Sequence, residues 1–77
     1  MMIRELDIVV LVRDLPKHGL KSGDVGTVVH VYGKGEGFEV EFVTGEGYTV
    51  AVVTLARDDI RVMRREEILH VRALAVA

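Results

Sequence analysis

Three histidines, two glutamates on one short alternating stretch, a lone serine and two glycine-rich segments are the groups in this chain whose types and spacing invite chemistry. His18, His30 and His70 offer no pair at the i, i+4 spacing that sets two imidazoles on one helix face, so sequence alone builds no metal site. The expectation is three solvated or locally hydrogen-bonded histidines, with no metal and no cofactor. Glu39 and Glu41 alternate with Phe38, Val40 and Phe42 in "FEVEF" and share one face of a strand. Two neighbouring carboxylates can raise a pKa and give a general acid. The same pair more simply forms the wet face of an exposed strand, an acidic stripe that Glu36 and Glu46 extend. Ser22 has no base placed beside it by sequence. The chain is therefore read as non-enzymatic.

The glycines raise the other chemical question. "LKSGDVGTVVHVY" places Gly23 and Gly26 just before a β-branched run, and "GKGEG" packs three glycines into residues 33–37. A phosphate cradle needs a glycine loop leading into a helix, with a lysine and a hydroxyl at fixed spacing. Here both stretches lead into strands, and Lys34 is not followed by Ser or Thr. The mechanical reading is better: Gly23 permits a tight turn with positive φ, and Gly26 permits a bulge or a close crossing of backbones.

These groups must be positioned by short strands. "DIVVLV" is a β-branched run that ends at Arg13 and Asp14, and Pro16 makes residues 15–23 a loop. Further strands are expected over Asp24–Tyr32, Phe38–Val43, Tyr48–Leu55 and Ile60–Met63, with tight turns at 33–37 and 44–47 and a turn of 3-10 helix at 56–59. Five short strands with close turns predict an all-β antiparallel meander. In a chain of 77 residues such a meander is expected to close on itself as a small five-stranded SH3-like barrel, residues 1–63. Residues 64–77 form an extra C-terminal segment. Ile68, Val71 and Leu74 fall at helical spacing, which favours helix slightly over strand. Their apolar face either covers an opening of the barrel or pairs with a second copy, so self-association through these three residues is expected.

Composition narrows the function. There is no cysteine, hence no disulfide framework and no thiolate site. Residues 1–60 carry six basic and ten acidic side chains, and residues 61–77 carry four basic and two acidic, within a net charge of −2. Tight nucleic-acid binding needs clustered cations, so an acidic body disfavours it. Both phenylalanines fall on the inward face, which leaves only Tyr32 and Tyr48 for a proline-peptide groove or a base-stacking platform. The start, "MMIRELDIVV", lacks a basic segment followed by a long apolar stretch, and no apolar run approaches a membrane span. The cytoplasm is the expected compartment, with no membrane contact.

The order of motifs carries a resemblance. "DIVVLV", "DLP", "LKSGDVGTVV", "FEVEF", "GEGYT" and "TL" follow one another as in a family of short bacterial proteins known as a domain of unknown function. The resemblance covers Asp7–Met63. It implies an SH3-like barrel with no established activity, whose members are sometimes encoded beside small toxin-like proteins. More distantly, "LKSGDVGTVVHV" resembles the G-x-x-G-x-V core of KOW-type modules, where that segment contacts RNA or protein.

The expected function is thus a small protein-interaction module with an unidentified protein partner, including an antitoxin-like role toward a neighbouring gene product. Its surface is expected on the 14–23 loop, through Asp14, Lys17, His18 and Lys21, together with Glu39 and Glu41. The alternative is a KOW-like RNA- or ribosome-associated module that uses Arg13, Lys17, Lys21 and Lys34.

Overall fold

Each of the five predicted strands forms. The computed structural model describes residues 2–74. In it, β1 spans Ile8–Leu11, β2 Val25–Tyr32, β3 Gly37–Val43, β4 Thr49–Leu55 and β5 Ile60–Val62. All neighbours are antiparallel, in one sheet of order β4-β3-β2-β1-β5. Single 3-10 turns lie at Pro16–His18 and Arg57–Asp59.

The alternation in "FEVEF" fixes which side of the sheet is buried. Phe38, Val40 and Phe42 point inward and are essentially inaccessible. Leu55, Val53 and Ala51 lie opposite them on β4, and Val31 and Val28 lie opposite Phe38 and Val40 on β2. Val28 and Val31 are three apart, which strict alternation would send to opposite faces. A bulge between Val28 and His30 adds one residue to β2 and returns Val31 to the core. A second irregularity opposite Phe42 and Val43 gives β4 its extra residue.

Gly26, on β2, lies directly against the inward side chains of β3. A β-carbon there would lie 2.6 Å from Val40 Cγ1, 2.9 Å from Phe42 Cε1 and 3.0 Å from the Glu41 carbonyl oxygen. Only a residue without a side chain fits. Gly23 has φ +96° and its N–H donates to the Leu11 carbonyl at 2.8 Å, so it makes the turn into β2.

The expected barrel is not closed by hydrogen bonds. β4 and β5 are the two edges of the sheet and do not pair with each other. β5 contributes only three ladder positions, all used on β1. Side chains seal the seam instead: Leu15, Leu20, Leu55 and Ile60 join one buried cluster with Val9, Leu11, Val28 and the inward β3 residues. Leu15 and Leu20 are locked by reciprocal backbone bonds of 2.8 and 3.2 Å. Because residues from both edges share this cluster, the sheet must curl around it, as one open layer could not bury its own face.

The tail corrects the helix expectation. Residues 64–74 form neither helix nor strand, and residues 75–77 lie outside the described residues. The Glu67 carboxylate accepts hydrogen bonds from the Arg61 guanidinium at 2.6 and 2.8 Å and from the Arg64 N–H at 2.6 Å. These bonds close a single turn at 64–67 and tie it to Arg61 of β5, and no helical hydrogen bond continues the chain beyond it. Ile68 and Val71 are 92% and 88% exposed, so no helical stripe is buried.

Candidate interaction site

The loop between β1 and β2 is braced from within. Asp14 accepts a hydrogen bond from the Ser22 N–H, and Asp24 accepts one from the Lys21 N–H, each at 2.8 Å. Gly19, at φ +67°, ends the Pro16–His18 turn. Lys17 and His18 remain exposed on that turn. Arg13 is committed elsewhere: its Nε donates to Asp59 Oδ1 at 2.6 Å, across 46 residues of sequence. The Arg13 bond holds the Asp59 carboxyl below its ordinary pKa, against a smaller opposing effect of burial.

This braced loop stands beside β4. Arg13, Leu15, Pro16, Lys17 and His18 on one side, and Val53, Thr54 and Leu55 on the other, line a groove of about 410 Å³. The groove follows the seam left by the unclosed sheet. Its floor is apolar, its loop-side rim is cationic, and its far rim is the edge of β4.

Of the residues singled out from sequence, Arg13, Lys17 and His18 reach this groove. Asp14 and Lys21 brace the loop through an acceptor carboxylate and a backbone donor. Glu39 and Glu41 lie on the outer face of β3, where Thr54 Oγ1 donates to Glu39, and Thr49 Oγ1 donates to Glu41 Oε2 at 2.7 Å. Thr54 belongs to both places, so the carboxylate face and the loop groove meet there. His30 is remote from His18: its ring packs edge-on against Tyr32 at 4.6 Å, and its Nδ1 lies 3.9 Å from Glu5.

Sequence reasoning did not find the partners of the tail. Arg72 clasps Asp24 through two nitrogens, at 2.5 and 2.8 Å, and donates to the Gly19 carbonyl at 3.0 Å. The Arg72 bonds lower the Asp24 pKa in spite of partial burial. Beneath this clasp, Leu69, Arg72 and Leu74 face Leu20, Val25, Phe42 and Val50 across a second groove of about 620 Å³. A basic residue after an apolar run was the only trace of this contact in the sequence.

The fold and the groove define a small all-β domain with a curled, unclosed sheet and a braced loop over its seam. The family described as Domain of unknown function (DUF4926) matches residues 5–62, and the chain belongs to it. No curated protein and no solved structure matches the chain. Among the described residues, no helix is long and apolar enough to cross a membrane.

Proposed function

We propose that this chain is a non-enzymatic protein-interaction module that takes an extended segment of a protein along the free edge of β4. The observation that carries the reading is the unpaired β4 edge with the seam groove beside it. An exposed edge offers a row of unmet backbone donors and acceptors, and a strand laid against it satisfies them. The braced 14–23 loop lowers the ordering cost of binding. Lys17 gives that segment a cationic border, with His18 beside it, while Glu39 and Glu41 mark the acidic outer face beyond it. Ile68 and Val71 add exposed apolar surface on the tail. The setting of this reading is the cytoplasm, and the product of a neighbouring gene is the first partner to try.

Affinity capture from native lysate, washed at low and then high salt, tests the reading. A protein retained at high salt by the natural chain and lost with Val52→Lys supports strand addition at β4. RNA or ribosomal material that washes away as salt rises supports the KOW-like alternative, because phosphate contacts weaken steeply with salt.

A further inference from the structure

The two edges of this sheet are guarded very differently. β5 has three residues and carries Arg61 at its centre, a short and charged edge of the kind that resists pairing. β4 is "TVAVVTL", seven residues with no charge, no proline and no glycine, and five of them are β-branched valine or threonine at exposed or half-exposed positions, Thr49, Val50, Val52, Val53 and Thr54. Val52, at its midpoint, is 49% exposed. Among the described residues, no strand pairs along this edge, and in its first half the Leu69–Leu74 stretch stands across the 620 Å³ groove from Val50. The Arg13–His18 segment approaches its second half but leaves the 410 Å³ groove between. A long, uncharged, apolar edge is a template for another strand.

We infer that the strand this edge takes is β4 of a second copy, paired antiparallel about a two-fold axis at Val52, so that two five-stranded sheets join into one. The inference rests on the strand-addition reading above and names its occupant. Two features favour a second copy. The first is self-complementarity. A two-fold axis at Val52 sets Val52 against Val52 of its partner, Ala51 against Val53, Val50 against Thr54 and Thr49 against Leu55, with no charge in the ladder. Glu39 and Glu41 are held one strand further in by Thr54 and Thr49, so the carboxylates do not meet across the axis.

The second feature is charge placement at the two ends. The C-terminal end of β4 is bordered by Lys17 and His18. The N-terminal end follows the Thr44–Gly47 turn, which carries Glu46 and is closed by bonds from Gly47 N–H to the Thr44 carbonyl and from Thr44 N–H to the Tyr48 carbonyl. Antiparallel pairing brings opposite ends together. The Lys17 ammonium of each copy therefore stands at the same end of the interface as the Glu46 carboxylate of the other, twice over by symmetry. A seven-residue ladder is a small interface, so the dimer forms and dissociates with concentration.

Sedimentation of the purified full chain over a concentration series, up to the millimolar range, tests this. The natural chain is expected to pass from monomer to dimer. Val52→Lys sets two ammonium groups opposite each other on the axis, yet within its own chain the new lysine faces Glu41, its cross-strand neighbour. It is expected to stay folded by circular dichroism and to remain monomeric at every concentration. Val52→Glu alone is also expected to be monomeric, and mixing the two variants restores a dimer containing one of each. A natural chain that stays monomeric throughout overturns the inference; β4 strand addition then stands only if the lysate partner is lost with V52K. A dimer that survives V52K overturns it too and directs the interface to Ile68 and Val71.

Discussion

Arg72 reaches back across 48 residues to grip Asp24 through both carboxylate oxygens, and so ties the tail to the start of β2. The side chains are 29% and 17% exposed, which makes this a partly shielded pair rather than a free surface one. It sets the course of residues 68–74. With Glu67 fixed to Arg61 at one end and Arg72 to Asp24 at the other, the chain between them is held across the end of the sheet.

Releasing that clasp should free the tail without unfolding the sheet. Asp24→Asn removes the charge, and trypsin is then expected to cut at Arg64 and Arg65 faster than in the natural chain, while β-sheet circular dichroism is retained. Acid should act in the same way. The Asp24 pKa is lowered by Arg72, so the clasp holds at and above the ordinary carboxylate range and lets go as pH falls through the lowered value. The NMR signals of Leu74, on the far side of Arg72 from Glu67, should shift across that titration in the natural chain and shift far less in Asp24→Asn.

Glu67 supplies a second acid-sensitive contact. Bonds from Arg61 first, and then from the Arg64 N–H, lower its pKa from 4.5 to about 2. A depressed carboxylate contributes stability above its unfolded pKa and loses it as pH falls through the folded one. The loss belongs between pH 4.5 and about 2. Its size is small because the pair is open to solvent. Glu67→Gln should flatten the pH dependence of urea unfolding in that window and leave it unchanged near neutrality.

Gly26→Ala should be the most damaging single-methyl change in the sheet. The new carbon would meet Val40 and Phe42 side chains that are fully packed, and a backbone carbonyl that cannot retreat without breaking the β2–β3 ladder. Overpacking of this kind costs about 1–3 kcal/mol. Each kcal/mol lowers the melting temperature of a domain this size by roughly 4–8 °C. Val40→Ala in the same chain should show strong non-additivity, because it removes the clashing methyls. Equal effects of Gly26→Ala in the two backgrounds would refute the packing argument.

Leu6 offers the opposite sign. It holds φ +72° in the turn before β1, where its N–H donates to the Val28 carbonyl at 2.7 Å, while its side chain is 77% exposed. Left-handed backbone costs a branched-chain residue about 1–2 kcal/mol, and glycine's extra entropy returns roughly half of that. Leu6→Gly is expected to stabilise by about 0.5–1 kcal/mol in thermal unfolding. A fall in melting temperature would mean that the side chain contributes more than its exposure suggests.

The sequence by itself determined the strands, their turns and their buried face, because each rests on local chemistry. Alternation in "FEVEF", β-branched runs, and Pro16, Gly23 and the "GKGEG" turn act within a few residues of one another. It also placed Lys17 and His18 on an exposed loop and gave the motif order of the family. Tertiary structure alone decided the rest. β4 and β5 do not meet; Leu15 and Leu20 pack into one cluster with Leu55 of β4 and Ile60 of β5, and a groove remains beside β4. The course of residues 64–74 depended on Arg72 finding Asp24, a contact across 48 residues that no local spacing encodes. Ile68, Val71 and Leu74 read as a helical stripe only while those ion pairs are unseen; once Glu67 and Arg72 are bound, the chain between them is fixed by its ends, and intrinsic propensity is too weak to impose a helix.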